Sequence, residues 1–213
     1  MYWTSGLLCL SLAACAAAPL EPVPADAWSV LFDGTQLESW VSTPFGGEGE
    51  VELRDDGLRL PFGSMLTGVH WTGADLPASY ELEVVAARLS GTDFFCALTL
   101  PIGEEFATLV LGGWGGALVG LSCVDGADAS ENSTRSIRAF ENGVDYLLRV
   151  RVDAERIAAW VDGELLFDQA RVGHSFAVRP EVLLSRPLGI ASFATTARIG
   201  SIRMRALGPE RGL

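Results

Sequence analysis

Residues 141–168, ENGVDYLLRVRVDAERIAAWVDGELLFD, decide how the rest of the chain is read. Tyr146, Leu148, Val150 and Val152 alternate with Leu147, Arg149, Arg151 and Asp153, the period-2 pattern of a strand with one buried face. A turn at Ala154 and Glu155 reverses the chain into a second strand over 157–161. Asp162-Gly163 is the dipeptide preferred by a two-residue type I′ hairpin, because both turn residues need positive φ. The returning strand covers 164–167. Such a turn sets Trp160 opposite Leu165, Ala158 opposite Phe167 and Ala159 opposite Leu166, with apolar groups on both faces. A hairpin of that kind belongs inside a β-structure, most simply in one sheet of an all-β sandwich of two antiparallel sheets.

The two ends frame this unit. Residues 1–14, MYWTSGLLCLSLAA, are uncharged, so the net charge of −12 lies entirely in the remainder. The apolar run 6–14 leads into Leu12-Ala13-Ala14-Cys15, which resembles the bacterial lipoprotein signal, where the chain is cut before a cysteine that receives lipid. On that reading the protein is extracytoplasmic, lipid-anchored through Cys15 to the cell envelope. An ordinary secretory signal, with a secreted product, is the alternative. Residues 15–27 form a proline-rich tether, with Pro19, Pro22 and Pro24. The folded domain is expected over 28–207, and 208–213 form a tail.

All 15 basic residues are arginines and they do not cluster. An acidic chain without a basic patch argues against nucleic acid as a partner. Cys96 and Cys123 are either a disulfide or two buried thiols on neighbouring strands. Residues 106–124, FATLVLGGWGGALVGLSCV, are uncharged and long enough for a membrane span. Five glycines, including the pair on each side of Trp114, argue instead for two buried strands joined by a tight turn. The polar segment 121–133 contains Asp125, Asp128, Glu131 and Asn132. Its spacing fails the EF-hand pattern, and a solvated loop competes with a Ca²⁺ site there.

The opening W-x-x-L-F-D-G-x-x-L-x-x-W of residues 28–40 resembles the start of the 3-keto-disaccharide hydrolase family. Further similar pieces follow in order: Asp56-Gly57-Leu58, YELEVV over 80–85, the hairpins of 146–168, Leu188-Gly189-Ile190, and SIRMR over 201–205. The resemblance implies a concanavalin-like jelly-roll sandwich and cleavage of a 3-keto glycoside by elimination and rehydration. Where family members typically carry N-S-G and a strand like E-V-Q-I-L-D, this chain has Thr92-Asp93-Phe94-Phe95 and residues 108–114, with no acid on the second strand.

Elimination next to a ketone needs a base, an acid for the leaving oxygen and a group that stabilises the enolate. Asp93, preceding Phe94 and Phe95, is one candidate base. His70, beside Trp71 as an aromatic for stacking on a sugar ring, is the other acid–base candidate, and Arg186 is the candidate for binding hydroxyls or the enolate. Direct hydrolysis needs two flanking carboxylates, and only Glu48, Glu50 and Glu52 alternate. With Val51 and Leu53 turned inward, those three face outward. Two distant histidines argue against a metal site built on histidine. Non-catalytic sugar binding asks only for an aromatic platform and a few polar groups. Trp114 is the preferred platform, with Trp71 and Asp128 as further binding candidates. Three functions remain open: a hydrolase of 3-keto glycosides, a carbohydrate-binding module, and a structural lipoprotein of the envelope. If the first or second holds, Asp93, Trp114 and Arg186 are expected to share one cleft, with His70 or Asp128 at its edge.

Overall fold

The computed structural model describes residues 27–208. The expected signal, Cys15 and most of the tether therefore lie outside the described residues. Apart from short turns and one 3-10 segment at Pro180–Ser185, the elements are strands.

The chain enters through β1 (Ser29–Phe32), β2 (Trp40–Ser42), β3 (Glu52–Arg54), β4 (Gly57–Leu60) and β5 (Thr67–Trp71). The long β6 (Tyr80–Gly91) is followed by β7 (Cys96–Ile102), β8 (Glu105–Gly112), β9 (Leu118–Ser122) and β10 (Ser136–Ile137). The hairpin unit supplies β11 (Asp145–Val152), β12 (Arg156–Val161) and β13 (Glu164–Ala170), and β14 (Gly189–Ser192) and β15 (Thr195–Ala206) end the domain. One sheet runs β13-β12-β11-β6-β15-β4-β3, with β1 also paired to β15. The second runs β10-β9-β8-β7-β14-β5-β2. This is the expected jelly-roll sandwich, with the 141–168 unit at one side of the first sheet.

Period-2 alternation packs the two sheets together. From the first, Leu82, Val84, Leu148, Val150, Ile199 and Ile202 are buried. From the second, Leu98, Leu100, Leu109, Leu121 and Ile190 are fully buried in the same cluster. The glycine-rich run forms β8 and β9 as expected, and no helix among the described residues is long and apolar enough to cross a membrane.

One detail, the register of the β12–β13 hairpin, departs from the sequence expectation. Leu165 does pair with Trp160, but Phe167 pairs with Ala159 and not with Ala158. A bulge takes Leu166 as an extra residue on β13, which turns Phe167 towards the core. Leu53 pairs with the buried Leu58 and so lies on the inward side as expected, but on a three-residue strand at the sheet edge it stays 40% exposed. Cys96 and Cys123 are free thiols. Cys96 points into the core, where burial pushes its pKa up to about 12.

Candidate functional site

The second sheet presents its other face outward. Paired residues place His70, Gly189, Thr99, Thr108 and Ser122 in one row across five strands. The next row is Gly68, Ala191, Ala97, Val110 and Gly120. Directly opposed residues share a face, so the floor of this surface is almost entirely small side chains. Part of it is covered by the Pro180–Ser185 segment: a Cβ on Gly189 would lie 2.5 Å from the Ser185 carbonyl oxygen. The uncovered part is a cavity of about 360 Å³ floored by Ala97, Thr108, Val110 and Ser122.

Trp114 stands on the wall of this cavity. Its own backbone is left-handed, at φ 49° and ψ 52°, between Gly112 at φ 76° and Gly115 at φ 89°. A bulky residue rarely occupies that region, and such strain tends to collect where a side chain must be held in one direction. Glycine neighbours let the turn adopt it and leave the indole 49% exposed. Asp93 sits beside the same turn. Its Oδ2 accepts from the Gly115 amide at 3.3 Å and its Oδ1 from the Phe94 amide at 2.8 Å. Phe94 and Phe193 continue the wall, their ring centroids 5.8 Å apart, and Met65, Leu66 and Val182 complete the apolar lining.

The polar side is organised behind the wall. Ser122 donates its hydroxyl to Asp128 Oδ1 at 2.6 Å, the Ala129 amide donates to the same oxygen at 2.7 Å, and Arg179 Nη1 bonds Asp128 Oδ2. Arg179 Nη2 also holds Glu181 Oε1 at 3.0 Å. Burial opposes the charge on Asp128, but the Ser122, Ala129 and Arg179 hydrogen bonds outweigh it and keep the carboxyl below its ordinary range. Hydrogen bonding to Arg179 does the same for Glu181, and both carboxylates raise the arginine. Arg179 and Glu181 therefore reach the cavity as a fixed ion pair.

The sandwich has solved counterparts. No family model and no curated protein matches the chain in sequence. In structure it is similar to the Crh5 transglycosylase in complex with NAG, with a TM-score of 0.61 and 13% identity over 87% of this chain and 86% of that one. It is also similar to carbohydrate binding module CBM66 from Bacillus subtilis, at TM-score 0.53 and 12% identity over 79% and 96% of the two chains. A third is the exoplasmic/lumenal domain of VIP36 in its Ca²⁺/Man3GlcNAc-bound form, at TM-score 0.57 and 11% identity over 86% and 90%. At these identities the likeness is one of fold.

Within that fold, Asp93 and Trp114 line one cavity, and the other sequence candidates do not join them. Arg186 lies over the Phe106 ring, 5.4 Å from its centroid, with Nε donating to the Leu183 carbonyl. Phe106 is the second residue of β8 and Trp114 follows its end, so the two are separated by the length of the strand, about 25 Å. His70 shares the sheet face, but its Nδ1 is engaged by Thr43 Oγ1 at 3.0 Å and it does not line the cavity. Trp71, next in the strand, points to the opposite side, packs edge-on against Trp40 at 5.4 Å, and donates Nε1–H to the Ala74 carbonyl. Asp128 acts from behind through Ser122 and Arg179.

Sequence reading missed Arg179, Glu181, Met65 and Phe193, which reach the cavity from segments distant in the chain. The one usable signal was the alternation after Asp93, which buries Phe95 fully and leaves Phe94 on the outer face. Two acids of the 121–133 segment, Asp125 and Asp128, are spent on the protein itself: Asp125 binds the Ser175 amide and His174 Nδ1, the latter at 2.6 Å. Among the described residues, no three His, Cys, Asp or Glu side chains gather as a metal site. Glu48 bonds the amides of Gly46 and Gly47, and Glu52 pairs with Arg54.

Proposed function

We propose that this protein binds carbohydrate in the cavity of its second sheet, with the indole of Trp114 as the platform for a sugar ring. The observation behind this reading is the half-exposed tryptophan held over a floor of small side chains, with hydrogen-bonding groups within the same cavity. A pyranose has one apolar face for an aromatic plane and hydroxyls around its edge. Similar folds support the reading: the Crh5 transglycosylase structure contains NAG, and VIP36 contains Man3GlcNAc. The protein works outside the cytoplasm, tethered to the envelope through Cys15.

The resemblance to 3-keto-disaccharide hydrolases adds a second reading, favoured by the presence of Asp93 in the same cavity. Asp93 would then take the proton beside the ketone while Arg179 faces the developing enolate; the glycosidic oxygen would leave carrying the proton that Asp93 took, and water would add back to the resulting enone. Arg179 thereby takes the role expected for Arg186, and His70, which does not line the cavity either, has no part in this reading.

A glycan array followed by calorimetry tests the binding reading. Trp114→Gly removes the indole while relieving the left-handed backbone, so the turn keeps its shape. Affinity for the selected glycan is expected to fall about 10-fold or more, and unchanged affinity would overturn the platform. Release of sugar from a 3-keto glycoside, lost in Asp93→Asn, would establish the enzymatic reading.

A further inference from the structure

The cavity changes character across the sheet, and the change follows strand order. At the β9 side, the Ser122 hydroxyl and the Arg179–Glu181 ion pair supply hydrogen-bonding groups. At the other side, Phe193 follows β14 and Met65 precedes β5, and Phe94 joins them through its contact with Phe193. Of the polar side chains of the lining, Ser122, Arg179 and Glu181 are linked to one another around Asp128, Thr108 is bonded to Thr99, and Asp93 is turned to the amides of Phe94 and Gly115.

Met65 is 44% exposed and Phe193 40% exposed. Neither completes the core cluster. Large apolar side chains left in water around one cavity mark a binding surface. A bare saccharide would set hydroxyls against Met65 and Phe193, which offer them no partner, and a desolvated hydroxyl without a hydrogen bond is costly. An aryl or alkyl group attached to the sugar would match the same wall. At about 360 Å³ the cavity is near the small end of ligand clefts, which suits one sugar ring with one compact substituent.

The geometry points to a glycoside with an apolar aglycone as the ligand: its sugar on Trp114 and the polar side, its aglycone on Phe94, Phe193 and Met65. This inference rests on the carbohydrate reading of the cavity and adds the class of substituent. The full chain is titrated calorimetrically with methyl and phenyl glycosides of glucose, galactose, mannose and N-acetylglucosamine, and with phenol alone. For the sugar that binds, the phenyl glycoside is expected to be ~10-fold tighter than the methyl one. Phe193→Ser, at an exposed position and checked for folding by circular dichroism, should narrow that ratio towards one, whereas Trp114→Gly weakens both members of the pair. Equal affinity for methyl and phenyl partners, or a ratio unmoved by Phe193→Ser, overturns the aglycone inference and leaves sugar binding standing. Phenol binding as tightly as the phenyl glycoside, or no pair binding at all, overturns both.

Discussion

Asp128 does not line the cavity, yet it determines what Arg179 can present there. A carboxylate buried on one side and given three hydrogen bonds is held ionised, and the guanidinium it grips loses its freedom to swing. Asp128→Asn keeps the shape and removes the charge. We expect a several-fold loss of ligand affinity by calorimetry and a loss of about 1–2 kcal/mol in urea unfolding. The sign with pH follows from the lowered pKa. The folded carboxyl titrates below the ordinary 3.8, so its stabilisation is fully present above that value and is lost as pH falls through the lower, folded one. The stability gap between wild type and Asp128→Asn should therefore be constant at neutral pH and close in acid below 3.8. A gap that persists undiminished in strong acid would show that Asp128 acts through packing instead.

At the scale of the element, the β12–β13 hairpin shows what local sequence can specify. Asp162 and Gly163 both take positive φ, 52° and 83°, as the type I′ turn requires. Asp162 also accepts the Leu147 amide at 2.9 Å, tying the turn to β11. A Cβ at Gly163 would meet nothing within 4 Å, so Gly163→Ala isolates the cost of the left-handed backbone. About 1 kcal/mol of destabilisation is expected in urea unfolding; a neutral substitution would mean the turn relaxes freely.

The strands on either side were legible because alternation is a local signal. The bulge at Leu166 was not, since a hairpin with apolar groups on both faces leaves its register weakly specified. The same division holds for the site. Asp93 and Trp114 flank one strand pair and could be associated from sequence. Arg186 could not be placed, because its distance from Trp114 is set by the length of β8. Arg179 and Glu181 enter the cavity only through the return of the Pro180–Ser185 segment across the sheet, a long-range contact with no sequence period.

The whole molecule has two unlike outer faces. On the first sheet, Arg203 and Arg205 pair with Glu83 and Glu81 and both stack on Trp28, with guanidinium carbons 4.7 and 4.9 Å from its ring centroid. Arg149 lies 4.3 Å over Trp160. These charges and rings satisfy one another. The second sheet keeps its small-residue floor and cavity open. Trp28 and β1 fasten the beginning of the domain to β15 in the first sheet, so a tether ending at residue 27 joins the domain on the sheet that lacks the cavity. An anchor at Cys15 would thus hold the envelope side of the molecule by the self-paired face and leave the cavity accessible. Such an anchor would separate anchoring from binding. Cys15→Ser is expected to move the protein from the membrane fraction to the soluble one while its affinity for glycan, measured on purified protein, stays the same. Unchanged processing together with unchanged membrane fractionation would rule out the lipid anchor, and a loss of glycan affinity would show that the tether reaches the cavity after all.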